Sequence, residues 1–97
     1  MAEIKWTEEA AKWLEDIYKY IAQENPVAAK NVINRIYEKV QTLKDFPEIG
    51  YRYHSESEEE IRILLYGHYR IAYLIRNKSV IEVLGVFHGA LEIDRYL

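Results

Sequence analysis

The sequence predicts an α+β fold in which two antiparallel helices cover one face of an antiparallel sheet and leave the other face free for a partner. Apolar residues recur at three- and four-residue spacing as far as about residue 44, which is typical of amphipathic helices. From about residue 60 they form short runs rich in β-branched and aromatic residues, separated by two-residue breaks, as in hairpins. The predicted element order is β-α-α-β-β-β, with a short C-terminal helix.

The first strand and the first helix are predicted from a cluster of signals near the N-terminus. Residues 3–6 alternate in polarity and end at Trp6, as in a short edge strand. Thr7 is suited to cap a helix, and Glu8 and Glu9 place negative charge in the first turn, where the helix dipole favours it. The apolar stripe predicts that this helix ends near Gln23.

The second helix is predicted to start at Asn25-Pro26, with asparagine as the cap and proline at the first helical position. Its apolar stripe continues to about Lys44. The connection between the helices is only a few residues long, which favours an antiparallel hairpin. Residues 45–50 then end the helix, and we expect Phe46 and Ile49 to pack beneath the hairpin.

The second half of the chain predicts a three-stranded meander. From Gly50 to Glu60 the sequence is polar and predicts a solvated loop. Strands are predicted at about 60–66, 69–76 and 79–87. The joins are Gly67-His68 and Asn77-Lys78, which contain residues that tolerate positive φ. The N-terminal strand extends one edge, an exposed edge would allow a homodimer, and the tail 91–97 predicts a short helix.

Length and composition indicate a single domain, residues 1–97, and exclude several classes of site. The chain is 49% hydrophobic, which suffices for one core. It has no cysteine, which excludes disulfides and thiolate metal sites and fits a cytoplasmic location. Its three histidines lack metal-ligand spacing, so we expect neither metal nor cofactor. No apolar run approaches the roughly 20 residues that span a bilayer, so we expect no membrane association.

Charge is distributed unevenly along the chain, which has a net charge of −3. Residues 1–60 carry 8 basic and 13 acidic side chains, whereas residues 61–97 carry 5 and 3. This balance makes strong nonspecific binding to nucleic acid unfavourable, because such binding depends on many lysine and arginine contacts. A local basic patch is still predicted around Arg62, Arg70 and Arg76.

Two side chains in the strands are candidates for chemistry. Strand alternation places Arg70 on one face with Ala72, where a buried guanidinium requires either an ion pair, for which Glu82 is the candidate, or an anionic ligand. His88 ends the last strand. It is either a hydrogen-bonded structural residue or an acid catalyst, since its imidazole titrates near neutral pH.

Tyrosine is abundant, with nine residues in the chain. Tyrosine supplies large contact area at low entropic cost, so the set as a whole favours a binding surface, although single tyrosines also serve to fill a sheet. The predicted contact residues for a partner are Arg62, Tyr69, Arg70, Tyr73, Arg76 and Tyr96.

The chain resembles the RelE/ParE superfamily of toxins from bacterial type II toxin–antitoxin systems. The resemblance covers nearly the whole chain and rests on an ordered set of segments: Trp6-Thr7, Tyr20-Ile21-Ala22, Asn25-Pro26, Phe46-Pro47-Glu48-Ile49-Gly50, Tyr69-Arg70-Ile71-Ala72-Tyr73 and Val86-Phe87-His88-Gly89-Ala90. It implies a helical hairpin packed on an antiparallel sheet. It also implies a cognate antitoxin that wraps around the toxin, and we expect this antitoxin to add a strand to an exposed sheet edge.

Within this superfamily the resemblance implies three alternatives. ParE-like members poison DNA gyrase, and the Asn25-Pro26 and His88-Gly89-Ala90 segments favour this activity. RelE-like members cleave mRNA in the ribosome; in that case Arg70 would hold the phosphate and His88 would act as the acid. The acidic chain has no lysine cluster on its strands, unlike most ribosome-directed toxins. ParE-like chains commonly have arginine where this one has Leu91, so a non-toxic binding module of the same fold is the third alternative.

Overall fold

The computed structural model describes residues 2–53, 58–89 and 93–97 and confirms the α+β class. Five strands form one sheet, and two helices pack against it. A 3-10 turn at Thr42–Lys44 follows the helices, and another at Ile93–Arg95 lies near the C-terminus. The elements are β1 (Glu3–Trp6), α1 (Glu8–Ala22), α2 (Pro26–Gln41), β2 (Tyr51–Tyr53), β3 (Glu60–Tyr66), β4 (Tyr69–Asn77) and β5 (Val80–His88).

Both predicted helix starts are confirmed by their caps. The Thr7 side chain accepts a hydrogen bond from the amide of Ala10 at 3.1 Å, and the Asn25 side chain accepts one from the amide of Ala28 at 3.0 Å. Each cap satisfies an amide that has no partner within its helix. The helix α2 ends at Gln41, three residues before the predicted end, because the chain tightens there into the 3-10 turn.

The sheet is mixed rather than wholly antiparallel. Its strand order is β1-β5-β4-β3-β2, and β1 pairs with β5 in the parallel direction, with Glu3 opposite Val80 and Trp6 opposite Val83. The other three pairs are antiparallel, and two of them, β3–β4 and β4–β5, form the predicted meander. Parallel neighbours require a long crossover connection, and here the segment between β1 and β5 contains the helical hairpin and the other three strands.

The predicted loop at residues 50–60 contains an additional strand. In β2, Tyr51 pairs with Ile63 and Tyr53 pairs with Ile61 of β3. Three residues are too few to produce a detectable alternation, so β2 exists because of its pairing with β3 and not because of its own pattern. The centre of that loop, residues 54–57, lies outside the described residues, as do residues 90–92 of the predicted tail.

The two hairpins differ in backbone conformation. At the β3–β4 turn Gly67 has a φ of 55°, which glycine adopts without strain. The β4–β5 turn falls at Lys78-Ser79, one residue later than predicted, and the Asn77 side chain accepts a hydrogen bond from the amide of Ser79 at 2.7 Å. No non-glycine residue in the described ranges has positive φ, so the Asn77-Lys78 join does not use the conformation expected of it.

The sheet has apolar residues on both faces, and the chain itself covers part of each. The helices pack on a face that includes Leu64, Ile71, Tyr73, Ile81, Val83 and Val86. On the opposite face Ile63, Ala72 and Phe87 pack against Ile93 of the C-terminal turn. The sequence suggested that this second face is free for a partner. It is not, because the C-terminal residues occupy part of it.

Residues 45–50 do not fill the space beneath the helical hairpin. The side chains of Phe46 and Ile49 are 64% and 52% exposed, which corrects the prediction that they are buried. The space under the helices is already occupied by fully buried side chains such as Ile36, Val40 and Leu43. Within the described part of the chain, no helix has the length and hydrophobicity needed to cross a membrane.

Candidate functional site

Arg70 and His88 lie on opposite faces of the sheet. Tyr69 is opposite His88 and Arg70 is opposite Phe87 in the β4–β5 register. Successive side chains of a strand point to opposite faces, so Arg70 shares the face of Phe87 and Ala72. His88 lies instead with Tyr69 on the helix side, where the two rings meet edge to face at 5.9 Å. The two predicted catalytic residues do not form one site.

Glu82 is paired with Arg76 and not with Arg70. Its carboxylate lies 2.7 Å from Nε and 2.5 Å from a terminal nitrogen of Arg76. Arg76 also approaches Glu59 at 3.5 Å. In the β4–β5 register Glu82 is opposite Leu74, whereas Arg70 is opposite Phe87. The predicted ion pair between Arg70 and Glu82 is therefore not formed.

Arg70 is half-buried and its Nε atom is inaccessible to solvent. The Tyr53 hydroxyl donates a hydrogen bond to the Asp94 carboxylate, and this bond is the main cause that raises the pKa of Tyr53. The positive charge of Arg70 acts on the same phenol and lowers its pKa by a smaller amount. Arg70 thus lies among groups that attach the C-terminal turn to the sheet.

Tyr73 and Arg62 serve as internal supports rather than exposed contact residues. Tyr73 is fully buried; its hydroxyl donates to the carbonyl of Pro47 at 2.7 Å and accepts from the amide of Gly50 at 3.0 Å. Arg62 donates to the carbonyl of Gly50 at 2.8 Å and pairs with Glu60 at 2.8 Å. These two members of the predicted contact set stabilise the loop that precedes β2.

The remaining predicted contact residues are accessible but lie in different places. Tyr96 is about half exposed, and its ring packs on Trp13 at 5.0 Å and on Phe87 at 5.4 Å. Arg76 is exposed near the β4–β5 turn. Tyr69 is half-buried at the other end of β4, and burial raises its pKa. They form no single surface.

An apolar groove lies where α1 crosses the end of β4 and β5. It has a volume of about 570 Å³. We call it the α1 groove, and its lining residues are Trp13, Asp16, Ile17, Tyr20, Ile21, Tyr69, Val86 and His88. The sequence analysis singled out Tyr69 and His88 but not the lining residues that α1 contributes to the groove. The spacing of Trp13, Ile17 and Tyr20 along one helix face was the available signal.

The α1 groove adjoins an open part of the sheet. The strand β1 pairs only with Val80–Val83 of β5, and the Thr7 hydroxyl then donates to the Val83 carbonyl at 2.8 Å as the chain turns into α1. Among the described residues, no strand pairs with the outer side of residues 84–88. In the same ranges no three histidine, aspartate or glutamate side chains are grouped to hold a metal ion.

Comparison with known proteins identifies the family. Residues 4–92 match the family model of the ParE toxin of the type II toxin–antitoxin system parDE. The protein Y4kP of Sinorhizobium fredii, which is named as a candidate toxin, is 34% identical over 86 residues, covering 89% of this chain and 86% of Y4kP. A solved structure of the chromosomal ParDE toxin–antitoxin system from P. aeruginosa superposes with a TM-score of 0.72 at 26% identity, covering 91% of this chain and 96% of that one. The chain therefore belongs to the ParE toxin family of type II toxin–antitoxin systems.

Proposed function

We propose that this protein inhibits growth by acting on DNA gyrase and is neutralised by a cognate antitoxin. The single observation that carries the proposal is the family match over residues 4–92. Membership of a two-component toxin–antitoxin family implies an antitoxin partner. The gyrase target rests on the family's ParE character and on the poor fit of this chain to a ribonuclease.

The geometry gives little support to the ribonuclease alternative. Acid catalysis beside a held phosphate requires both groups within reach of the same phosphodiester. Arg70 and His88 point to opposite sides of the sheet. The net charge of −3 also disfavours a target rich in phosphate. A target that is itself a protein fits this charge better.

The gyrase proposal is tested with purified components. Gyrase should lose supercoiling activity or accumulate cleaved DNA when the purified chain is added, and prior mixing with the antitoxin encoded by the neighbouring gene should restore activity. Transcripts from cells arrested by the protein should remain uncut at ribosomal A-site codons. Unaffected supercoiling together with cut transcripts would reject the gyrase target in favour of the ribosome. Normal growth on expression without a partner would reject toxicity itself.

We further propose that the antitoxin binds in the α1 groove and along the neighbouring edge of β5, where no described strand pairs with residues 84–88. The groove is lined mainly by apolar and aromatic side chains, and such surfaces become protein interfaces when exposed. An unpaired strand edge beside it supplies backbone donors and acceptors for an added strand. Together they suit a segment that contributes both apolar side chains and a strand.

Two tyrosines of α1 provide a matched test of this interface. Tyr20 lines the groove and is 77% exposed, whereas Tyr18 is on the same helix but outside the groove. Tyr20→Ala should weaken antitoxin binding about tenfold or more, as expected of an aromatic contact residue, while Tyr18→Ala should leave it nearly unchanged. Equal effects of the two substitutions in a titration would place the antitoxin elsewhere, without bearing on the gyrase assay.

A further inference from the structure

Four exposed apolar side chains belong to β2, to the loop before it and to its neighbour β3. Phe46, Ile49 and Tyr51 are 64%, 52% and 50% exposed, and Leu65 is 57% exposed. Tyr51 pairs with Ile63, so Leu65 lies two residues further along β3 on the same face of the sheet. We call this region the β2 corner and define it by Phe46, Ile49, Tyr51, Arg52 and Leu65; strand alternation places Arg52 on the face opposite to that of Tyr51 and Leu65.

Several hydrogen bonds hold the backbone of the loop before β2 in this exposed arrangement. The Tyr73 hydroxyl bonds to the backbone of Pro47 and Gly50, and Arg62 donates to the carbonyls of Glu48 and Gly50 at 3.1 and 2.8 Å. Gly50 also fits tightly, since a Cβ there would lie 2.7 Å from the carbonyl oxygen of Ile63. With its backbone fixed at several points, the loop cannot easily refold to bury its apolar side chains.

The backbone edge at this corner is also open. The strand β2 is the last in the sheet order, and within the described residues no strand pairs with its outer side. An unpaired edge offers donors and acceptors to an incoming strand. Many proteins protect such edges with charge, and β2 carries Arg52 at its centre.

The charge of Arg52 lies next to a second positive charge and is not balanced by a described carboxylate. It lies directly opposite Arg62 in the β2–β3 register, and like charges in that position repel. Arg62 is compensated by Glu60 at 2.8 Å. The exposed Arg52 forms no hydrogen bond or ion pair with any side chain in the described ranges. A carboxylate on the outer side of β2 would offset the repulsion.

We propose that the outer edge of β2 binds an extended peptide segment of another protein, which adds to the sheet as a further strand and places a carboxylate opposite Arg52. Strand alternation then puts the residues on either side of the carboxylate on the face of Tyr51 and Leu65. Apolar side chains at those two positions would cover part of the β2 corner. The partner is thus an apolar strand with a single central acid.

A second copy of the chain fits this edge poorly. Only three residues form β2 and Arg52 is the central one, so symmetric antiparallel pairing of two β2 strands would set Arg52 opposite its own counterpart. Two guanidinium groups opposite each other would repel, in addition to the existing repulsion from Arg62. The acidic peptide and the second copy therefore differ in the sign of charge that they bring to Arg52.

The test uses the full chain and two synthetic peptides. One capped seven-residue peptide of alternating threonine and valine carries a central glutamate in place of threonine, and the other carries lysine there. The glutamate peptide should shift the backbone amide resonances of residues 51–53 and bind about five- to tenfold more tightly than the lysine peptide, a difference typical of one interfacial charge pair.

A charge reversal supplies the control. Because Arg52 is exposed and its side chain makes no hydrogen bond or ion pair in the described ranges, Arg52→Glu should fold normally, and it should reverse the preference in favour of the lysine peptide. Equal binding of both peptides, resonance shifts confined to β5, or a wild-type dimer in sedimentation experiments that pairs through residues 51–53 would each overturn the proposal. None of these measurements involves gyrase or the antitoxin, so the result is separable from the proposed function.

Discussion

Tyr73 connects the centre of the sheet to the loop before β2 through two hydrogen bonds of one buried hydroxyl. Replacing it with phenylalanine keeps the ring but leaves the carbonyl of Pro47 and the amide of Gly50 without this partner. We expect Tyr73→Phe to lower the free energy of unfolding by about 1–3 kcal/mol, the usual cost of a buried unsatisfied polar group. Urea denaturation measures it, with Tyr20→Phe as the exposed control; equal stability of the two variants would contradict the assigned role.

Tyrosines that are buried or half-buried also make stability depend on pH in the alkaline range. Burial raises the pKa of Tyr73 and of Tyr69 above the usual value for tyrosine, which is about 10. The unfolded chain then releases these protons at lower pH than the folded chain, so the contribution is fully present below about pH 10 and is lost as pH rises through the folded pKa. The free energy of unfolding should fall above about pH 10, and less steeply in Tyr73→Phe. A flat profile in the wild-type protein would refute this.

At the scale of elements, the junction between β1 and α1 depends on Thr7. Its hydroxyl accepts from the amide of Ala10 to cap α1 and donates to the carbonyl of Val83 on β5. The cap of α2 at Asn25 is exposed and makes only the local bond. We expect Thr7→Ala to cost about 2 kcal/mol, near the upper end for caps, and Asn25→Ala to cost about 1 kcal/mol. Thermal or urea unfolding distinguishes them, and Thr7→Ser should recover most of the loss.

The helical hairpin and the meander were predictable because each is encoded locally. The spacing of apolar residues, the caps at Thr7 and Asn25 and the glycine at residue 67 act within a few positions of the chain. The strand β2 was not predictable, because its three residues are extended only through pairing with β3. The exposure of Phe46 was missed for a similar reason, since it depends on how α2 and the sheet fill the space under the helices.

For the molecule as a whole, the C-terminal turn completes the second face of the sheet. Ile93 is buried against Ile63, Ala72 and Phe87, while Tyr96 packs on the ring of Phe87. Deleting residues 93–97 should expose this apolar surface and lower the free energy of unfolding by about 2–5 kcal/mol, comparable to losing a large core side chain. The shortened protein should also bind more of a hydrophobic dye than the full chain does.

A milder variant tests the packing explanation for this turn. Asp94→Asn weakens the hydrogen bond from Tyr53 but keeps Ile93 and Tyr96 in place. It should cost about 1 kcal/mol or less, the net value of a typical hydrogen bond. If the deletion costs no more than Asp94→Asn, the turn does not protect the second face.

Sequence signals were sufficient to predict the α+β class, the start of each helix, the antiparallel meander and the resemblance to the RelE/ParE superfamily. These depend on local spacing and capping, and on residues that are recognised in order along the chain. Three other features emerged from the folded chain alone: β1 runs parallel to β5, Arg70 and His88 lie on opposite faces of the sheet, and Tyr73 is an internal support. The direction of a strand and the side that a residue faces depend on pairing between segments far apart in sequence, and that pairing leaves no local pattern.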